Sequence, residues 1–427
     1  MTRVRHRALT RRRVVTTIAA SLLTAPAIAA KAAAVPRASI RLRRGMNLWP
    51  WFSLTREFPA PRNEYDWPPF QLDRAIPTRA DLAALRSSGI DFVRIPVDPG
   101  PFLATTGARH ETLVRELLAA VELSNAQDLS AIVNLHPNSA THYWNPGNLV
   151  TTRTAPLFKS YIGLVRELAA RLSRFDPTRV CFEPLNEPPQ SCTSSEWPPM
   201  QLELTRAARA AAPGLTLVAC GACGAMIDGL LNIDPRQLDD SNILYTFHFY
   251  EPYVFSHQGA PWMSTEPMYR YLNAIPWPAG MSTKEKTLTA VAARMAADHA
   301  TSATEKNEIG ATIRRVLDEY FNARPDKQFI ARYLDRVKNW ADEHGVARDR
   351  VLLGEFGALR TDERYVAASD PDRARYIRDV REACEAAGMP WAFWNLFDGM
   401  GLVADERSRA FDPAIVAALG LRAAPPQ

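Results

Sequence analysis

No run of about 18 consecutive apolar residues occurs in the 427-residue chain, which leaves it without an ordinary membrane-spanning helix. Cysteine is scarce, with five in all, too few and too scattered for a disulfide scaffold. Cys220 and Cys223 form a single C-x-x-C, and no second Cys/His pair stands at zinc-finger spacing, which argues against a structural zinc site. Acidic residues are missing from residues 1–29, which hold six arginines: Arg3, Arg5, Arg7, Arg11, Arg12 and Arg13. Setting those six aside from 51 basic residues leaves 45 against 46 acidic ones, a net charge near −1. The formal charge of +5 therefore belongs to the N-terminus. The body has no bulk electrostatic reason to seek nucleic acid or an anionic membrane.

That N-terminus has the layout of an export signal over residues 1–29. A basic stretch precedes VVTTIAASLLTAPAIAA, which is apolar but rich in Ala and Thr, and Ala27 and Ala29 form an A-x-A cleavage site. TRRRVVT (Thr10–Thr16) is similar to a twin-arginine signal, with an ordinary secretory signal as the alternative. No Cys stands at the cleavage site, so no lipid anchor is expected there. The expectation is an exported protein, periplasmic or secreted.

Residues 40–420 contain no internal repeat and no low-complexity linker, and 47% of the chain is hydrophobic, enough for a large core. A single domain over 30–427 is expected. Short apolar runs rich in β-branched and aromatic residues alternate with helix-like stretches, the pattern of a parallel sheet with helical crossovers. The runs are RGMNLW (44–49), GIDFVRIPV (89–97), SAIVNLHP (130–137), VCFEPLNEP (180–188), LTLVACG (215–221), ILYTFHFYE (243–251), VLLGEFGA (351–358) and PWAFWNLFD (390–398). Eight strands close a (β/α)₈ barrel. TRADLAALRSSG reads as a helix capped by Thr78 and stopped at Gly89. The spacing breaks between Glu251 and Val351, where two amphipathic helices within 283–322 predict an insertion after the sixth strand, spanning about residues 252–330. A second domain is the alternative. In such a barrel Cys192 and Cys223 fall in adjacent loops, and either a disulfide between them or packed free thiols would suit the pattern.

Polar residues gather at the C-terminal ends of these runs, the end where barrel enzymes place their chemistry. Arg94 is assigned to the end of the second strand, His136 to the third and Asn186 with Glu187 to the fourth. His248 and Tyr250 are assigned to the sixth, Glu355 to the seventh, and Trp394 to the eighth itself. Any one of these is more often a satisfied core or rim residue than a catalyst. Eight converging on one face of a barrel are not. Two carboxylates from facing strands suit glycoside hydrolysis, one protonating the leaving oxygen and the other attacking the anomeric carbon. Asn186 suits a sugar 2-hydroxyl, and Arg94 would keep Glu355 ionised if it reached it. His248 and Tyr250 would orient the two acids, and His136 would bind a sugar hydroxyl. Glu183 should point into the barrel lower down as a structural acid, and Glu251 should stand behind the site. Asp98 and Asp398 end strands without comparable polar company.

FEPLNEP around Glu187, FHFYEP around His248 and LLGEFGA around Glu355 resemble the signature segments of glycoside hydrolase family 5, the cellulase family. RGMNLW, FVRIPV, NLHP and Trp394 follow in the same order, and the resemblance spans about residues 40 to 420. It implies Glu187 as acid/base and Glu355 as nucleophile, with Arg94, His136, Asn186, His248, Tyr250 and Trp394 around them, and a β-linked polysaccharide or oligosaccharide as substrate. A β-1,4-glucan leads, followed by β-mannan and other β-glucans, cut in endo or exo fashion. The segment beginning PYVFSHQGAPW departs from the family's simpler members by its length. Sugar faces stack on aromatic rings, so Trp49, Trp51, Trp144, Trp262 and Trp394 are candidate platforms, while Trp340 and Trp391 read as core.

Two other readings stand beside this one. A metal-dependent barrel hydrolase would draw on His136, His142, His248 and His257, yet the first run offers Asn47 and Trp49 where an H-x-H pair belongs, and no H-E-x-x-H occurs. No metal or cofactor is expected. A non-catalytic carbohydrate-binding barrel would have little reason to keep both acids with their polar neighbours.

Overall fold

The computed structural model describes residues 40–70 and 74–423. The candidate export signal lies outside them. Eight parallel strands close into a barrel in sequence order: β1 (Arg44–Asn47), β2 (Phe92–Val97), β3 (Ser130–Leu135), β4 (Val180–Glu183), β5 (Thr216–Cys220), β6 (Ile243–His248), β7 (Val351–Glu355) and β8 (Trp391–Phe393). Pairing of β1 with both β2 and β8 removes every free edge.

Side chains inside the barrel stack in layers, as period-two alternation requires. The lowest is apolar, with Phe92, Ile132, Val218, Leu244, Leu352 and Ala392 closed from below by Ile40 and Leu42. Gly45 leaves room for the Phe92 ring, which lies 2.3 Å from where a Cβ would stand. Above it the interior turns polar, with Asn47, Arg94, Asn134, Glu183 and Thr246 all fully buried. Crossover helices form the outer layer. The helix Arg79–Ser88 starts with a reciprocal capping box between Thr78 and Asp81 and ends at Gly89 with φ +108°, as the sequence predicts.

Each run is longer in sequence than its ladder. Trp394 and His136 lie one residue beyond their strands, Glu187 lies four beyond β4, and Arg94 sits inside β2 rather than at its end. The apolar runs continue because the loops above the ladder are also packed, so hydrophobicity alone cannot mark where pairing stops. β7 carries a second irregularity. Phe247 pairs with Leu353 but His248 pairs with Glu355, so Gly354 is an extra residue on β7. This bulge turns Glu355 toward the interior, where strict alternation from Leu352 would have pointed it outward.

Between β6 and β7 the chain adds the helices Lys284–Ala297 and Ala303–Ala323 before the crossover helix Lys327–Glu343. Ile309, Ile313, Leu317 and Tyr320 are buried in the same apolar cluster as the barrel's outer face. The insertion is a wing of the barrel.

Candidate active site

Arg94 is the hub of the barrel's upper layer. Its guanidinium makes two parallel bonds to Glu183, Nε to Oε2 and Nη2 to Oε1, both 2.8 Å. Nη1 donates to Glu355 Oε1 at 2.7 Å and to Asn47 Oδ1 at 2.9 Å, and Nη2 to Asn186 Oδ1 at 2.6 Å. Burial disfavours the charge on Arg94, but Glu183 and Glu355 outweigh it and hold the guanidinium firmly protonated. Glu183 is thus a structural acid below the site.

Glu355 is 3% exposed and accepts a second bond, from the Tyr250 hydroxyl at 3.0 Å. Burial raises its carboxyl above the ordinary glutamate value, the charges of His248 and Arg94 oppose that rise, and the Glu187 carboxylate adds to it. Glu187 faces it from the loop after β4, with backbone φ +41°, a conformation that costs a non-glycine residue of order 1–3 kcal/mol and often marks a functional position. Its Oε1 bonds His248 Nδ1 at 2.8 Å. Burial would raise the Glu187 carboxyl, but the His248 bond and charge bring it below its ordinary value. Burial likewise disfavours the His248 cation, and Glu355 and Glu187 overcome this to hold its pKa above normal.

Asn186 fixes a tautomer. Its Oδ1 faces Arg94, so its Nδ2 donates to His136 Nε2 at 3.3 Å, which leaves the His136 proton on Nδ1. Burial pulls the His136 pKa down to about 3, so the ring is neutral. It stacks on Trp394 with centroids 5.8 Å apart, and Trp49 lies 5.3 Å from Trp394, so the three rings form one aromatic group.

Eight candidates therefore meet here: Glu187, Glu355, Arg94, His136, Asn186, His248, Tyr250 and Trp394. Trp49 joins them. Trp144 does not: it is 8% exposed, its Nε1 donates to the Asn63 carbonyl at 2.6 Å and its ring packs on Tyr143. Trp262, 48% exposed, stands out on the rim against Tyr365 and His257. Glu251 is half-buried and accepts the Tyr250 N–H, and desolvation lifts its carboxyl to about 7. Asp98 bonds Thr55 and the Gly100 N–H, away from the two glutamates.

Sequence reasoning passed over Asn47, which accepts from Arg94 and donates to the Gly354 carbonyl at 3.0 Å, tying β1 to the β7 bulge. The signal for it is faint, a lone polar residue ending an apolar first run. Sequence reasoning also passed over the wall beside Glu187, a cleft of roughly 410 Å³ lined by Cys223, Gly224, Met226, Tyr253, Met263, Glu266 and Tyr269. Most of these come from the insertion, where no periodic pattern marks inward-facing positions.

The four histidines do not converge as a metal site would need. His142 bonds Glu57 at 2.8 Å, and His257 meets Ser256. Among the described residues, Glu187, His248 and Glu355 are the group with donor atoms close enough to share an ion, within 4.8 Å of one another. Both Glu355 oxygens already accept bonds and the Arg94 cation stands beside them. That donor set suits a proton and a sugar, not a cation. The same 4.8 Å bound places a carboxylate oxygen of Glu187 near one of Glu355.

Comparisons with known proteins agree with the barrel fold. Residues 57–399 match the family described as Cellulase (glycosyl hydrolase family 5). Endoglucanase 3 of Fibrobacter succinogenes is 24% identical over 330 residues, covering 74% of this chain and 45% of its own length. Endoglucanase C of Acetivibrio thermocellus is 25% identical over 239 residues, covering 54% and 64%. The chain thus spans less than two thirds of these relatives. In solved structures, the cellulose synthase subunit CcsZ of Clostridioides difficile superposes with a TM-score of 0.62 at 21% identity, covering 89% of this chain and 99% of that one. Cel5A of Thermotoga maritima, solved with cellobiose, gives 0.61 at 18%, covering 88% and 97%. With a family match over most of its length and a closed (β/α)₈ barrel, the chain belongs to glycosyl hydrolase family 5.

Proposed function

We propose that this protein is a retaining endo-β-1,4-glucanase acting by double displacement, with Glu355 as nucleophile and Glu187 as acid/base. The observation that carries this reading is the approach of the two carboxylates, oxygen to oxygen within 4.8 Å. Retaining enzymes hold the two groups about 5–5.5 Å apart, too close to lodge a water between an acid and the sugar. In the first step a Glu355 oxygen bonds the anomeric carbon, the glycosidic C–O bond breaks, and Glu187 gives its proton to the leaving oxygen. In the second, a water oxygen bonds that carbon, its proton passes to Glu187, and Glu355 leaves as a carboxylate. Two inversions retain the configuration.

The surroundings support these roles. Arg94 and Tyr250 each spend a hydrogen bond on Glu355, aiming one oxygen and favouring its ionised form. Glu187 draws on a proton shared with His248 across 2.8 Å. While Glu355 is charged it favours a proton on that pair, and once it is esterified the pull disappears, so Glu187 turns from acid to base.

The β-1,4-glucan substrate is carried over from relatives named endoglucanases; β-mannan and other β-glucans are the alternatives. The half-exposed Cys192–Cys223 disulfide fits an oxidising compartment, so export to the periplasm or medium is part of the proposal. No helix among the described residues is long and apolar enough to cross a membrane. A panel of β-linked polysaccharides tested with wild type and Glu355→Gln decides the matter. At least one glycan should be cut, the first product detected by proton NMR should be the β-anomer, and the variant should lose several orders of magnitude in rate. An unchanged rate in Glu355→Gln removes the nucleophile assignment, and tight binding without cleavage favours the non-catalytic barrel.

A further inference from the structure

The disulfide between Cys192 and Cys223 joins the loop after β4, which carries Glu187, to the loop after β5. Cys223 N–H donates to the Gln190 carbonyl at 2.8 Å and Gly224 N–H to the Pro188 carbonyl at 3.1 Å, so the second loop is laced to the residues that follow Glu187. Two residues later, the Ala225 carbonyl accepts the His248 N–H at 2.8 Å, and His248 is the partner of Glu187. Cys223, Gly224 and Ala225 all adopt left-handed backbone, with φ +50°, +67° and +57°. Two of the three are not glycine, and such a turn persists only where its surroundings over-determine it. Cys223 and Gly224 also line the cleft beside Glu187. Both cysteines are partly solvent-exposed, within reach of a small thiol.

We infer that the Cys192–Cys223 bond is a positioning device for the proton donor, holding the 223–225 turn that sets Glu187 and His248 against each other. This rests on Glu187 being the acid/base of the proposed mechanism. The nucleophile is anchored elsewhere, by Arg94, Asn47 and Tyr250, so opening the bond should spare Glu355. Reduction by a dithiol converts the disulfide to two thiols and oxidises the reagent to its own disulfide. Afterwards the turn relaxes and the 2.8 Å Glu187–His248 contact lengthens.

A leaving-group comparison separates positioning from general stability. Aryl β-glycosides of whichever sugar the polysaccharide panel selects are assayed with native enzyme, with enzyme reduced by dithiothreitol and then reoxidised, and with the double variant Cys192→Ser, Cys223→Ser. A phenyl glycoside needs the proton; a 2,4-dinitrophenyl glycoside leaves without it. Reduction and the double variant should each cut kcat/KM for the phenyl substrate at least tenfold and leave the dinitrophenyl substrate within twofold; the reduced enzyme should recover on reoxidation and the double variant should not. Equal losses on both substrates, or none on either, overturn the inference. If the double variant does not fold, reduced native enzyme supplies the same comparison. Glu187→Ala is the reference. If it shows no split between the substrates, the acid/base assignment itself fails; if it shows the split and the cysteines do not, only the positioning role fails.

Discussion

Arg94 holds Glu355 at 2.7 Å with the same guanidinium that grips Glu183 through two bonds, so the fold's buried ion pair and the alignment of Glu355 are one structure. Both Arg94 and Glu183 have fully buried side chains. Breaking such a pair by removing one partner typically costs about 3–5 kcal/mol, because the other charge is stranded. Lysine keeps the charge, but its single ammonium cannot reproduce the two parallel bonds to Glu183 together with those to Glu355, Asn47 and Asn186. Arg94→Lys should therefore lower both stability and kcat. Urea denaturation should show a loss of a few kcal/mol, as expected for a disrupted buried pair, with kcat down by at least about 100-fold, as for a misplaced reacting group. A variant with native stability and full activity would show that the bond network is incidental.

The pH profile follows from the directions of the two shifts. In the proposed mechanism Glu355 must be ionised to attack, and burial holds its carboxyl above the ordinary glutamate value, so the acid limb of kcat/KM should lie above that value. The basic limb marks loss of the proton shared by Glu187 and His248. Because His248 is raised, that limb should lie above the ordinary imidazole value. His248→Gln removes the titrating partner and leaves Glu187 to lose its proton alone, which moves the basic limb down. A basic limb that stays in place in the variant contradicts proton sharing.

Gly354 is the extra residue that turns Glu355 inward. A Cβ there would stand 2.5 Å from Thr246 Oγ1 and 3.2 Å from His248 Nε2, both on β6. Forcing a methyl into so packed a place costs about 1–3 kcal/mol. Gly354→Ala should also displace Glu355 and cut kcat by about 100-fold, a larger relative loss than its fall in melting temperature suggests. Kinetics beside a thermal melt test this, and a variant that loses stability alone would separate the bulge from the chemistry.

Two tryptophans should behave oppositely. Trp144 is buried and bonded to a backbone carbonyl, so Trp144→Ala should cost about 3–5 kcal/mol of stability and leave KM unchanged in the folded fraction. Trp262 is half exposed on the rim, so Trp262→Ala should leave stability within about 0.5 kcal/mol and raise KM for long oligosaccharides more than for short ones. Denaturant titration with chain-length-dependent kinetics distinguishes them; reversed outcomes would assign Trp144 to the ligand.

Much of the site is legible in the amino-acid pattern. Glu187, Glu355, Arg94, His248 and Tyr250 stand beside β-strand runs, where a polar residue interrupts an apolar pattern and so betrays a position facing the barrel mouth. Asn47 carries the same signal more faintly. Trp144 misleads because a loop tryptophan looks alike in sequence whether it stacks on a sugar or on its own neighbours. Tyr253, Met263 and Tyr269 carry no signal, since their loop has no period to say which side faces the cleft.

Local pattern determined the alternation of strands and helices, the strand count, the insertion and the cap at Thr78, because those depend on residues a few positions apart. Tertiary structure alone decided which acids would meet. Arg94 and Glu355 are 261 residues apart in sequence, and Arg94 and Glu183 are 89 apart. Their contact depends on barrel register and on the bulge at Gly354, which moves a side chain from one face of a strand to the other. The disulfide was settled at the same level. Two loops distant in sequence became neighbours when β4 and β5 paired, and that pairing brought Cys192 to Cys223.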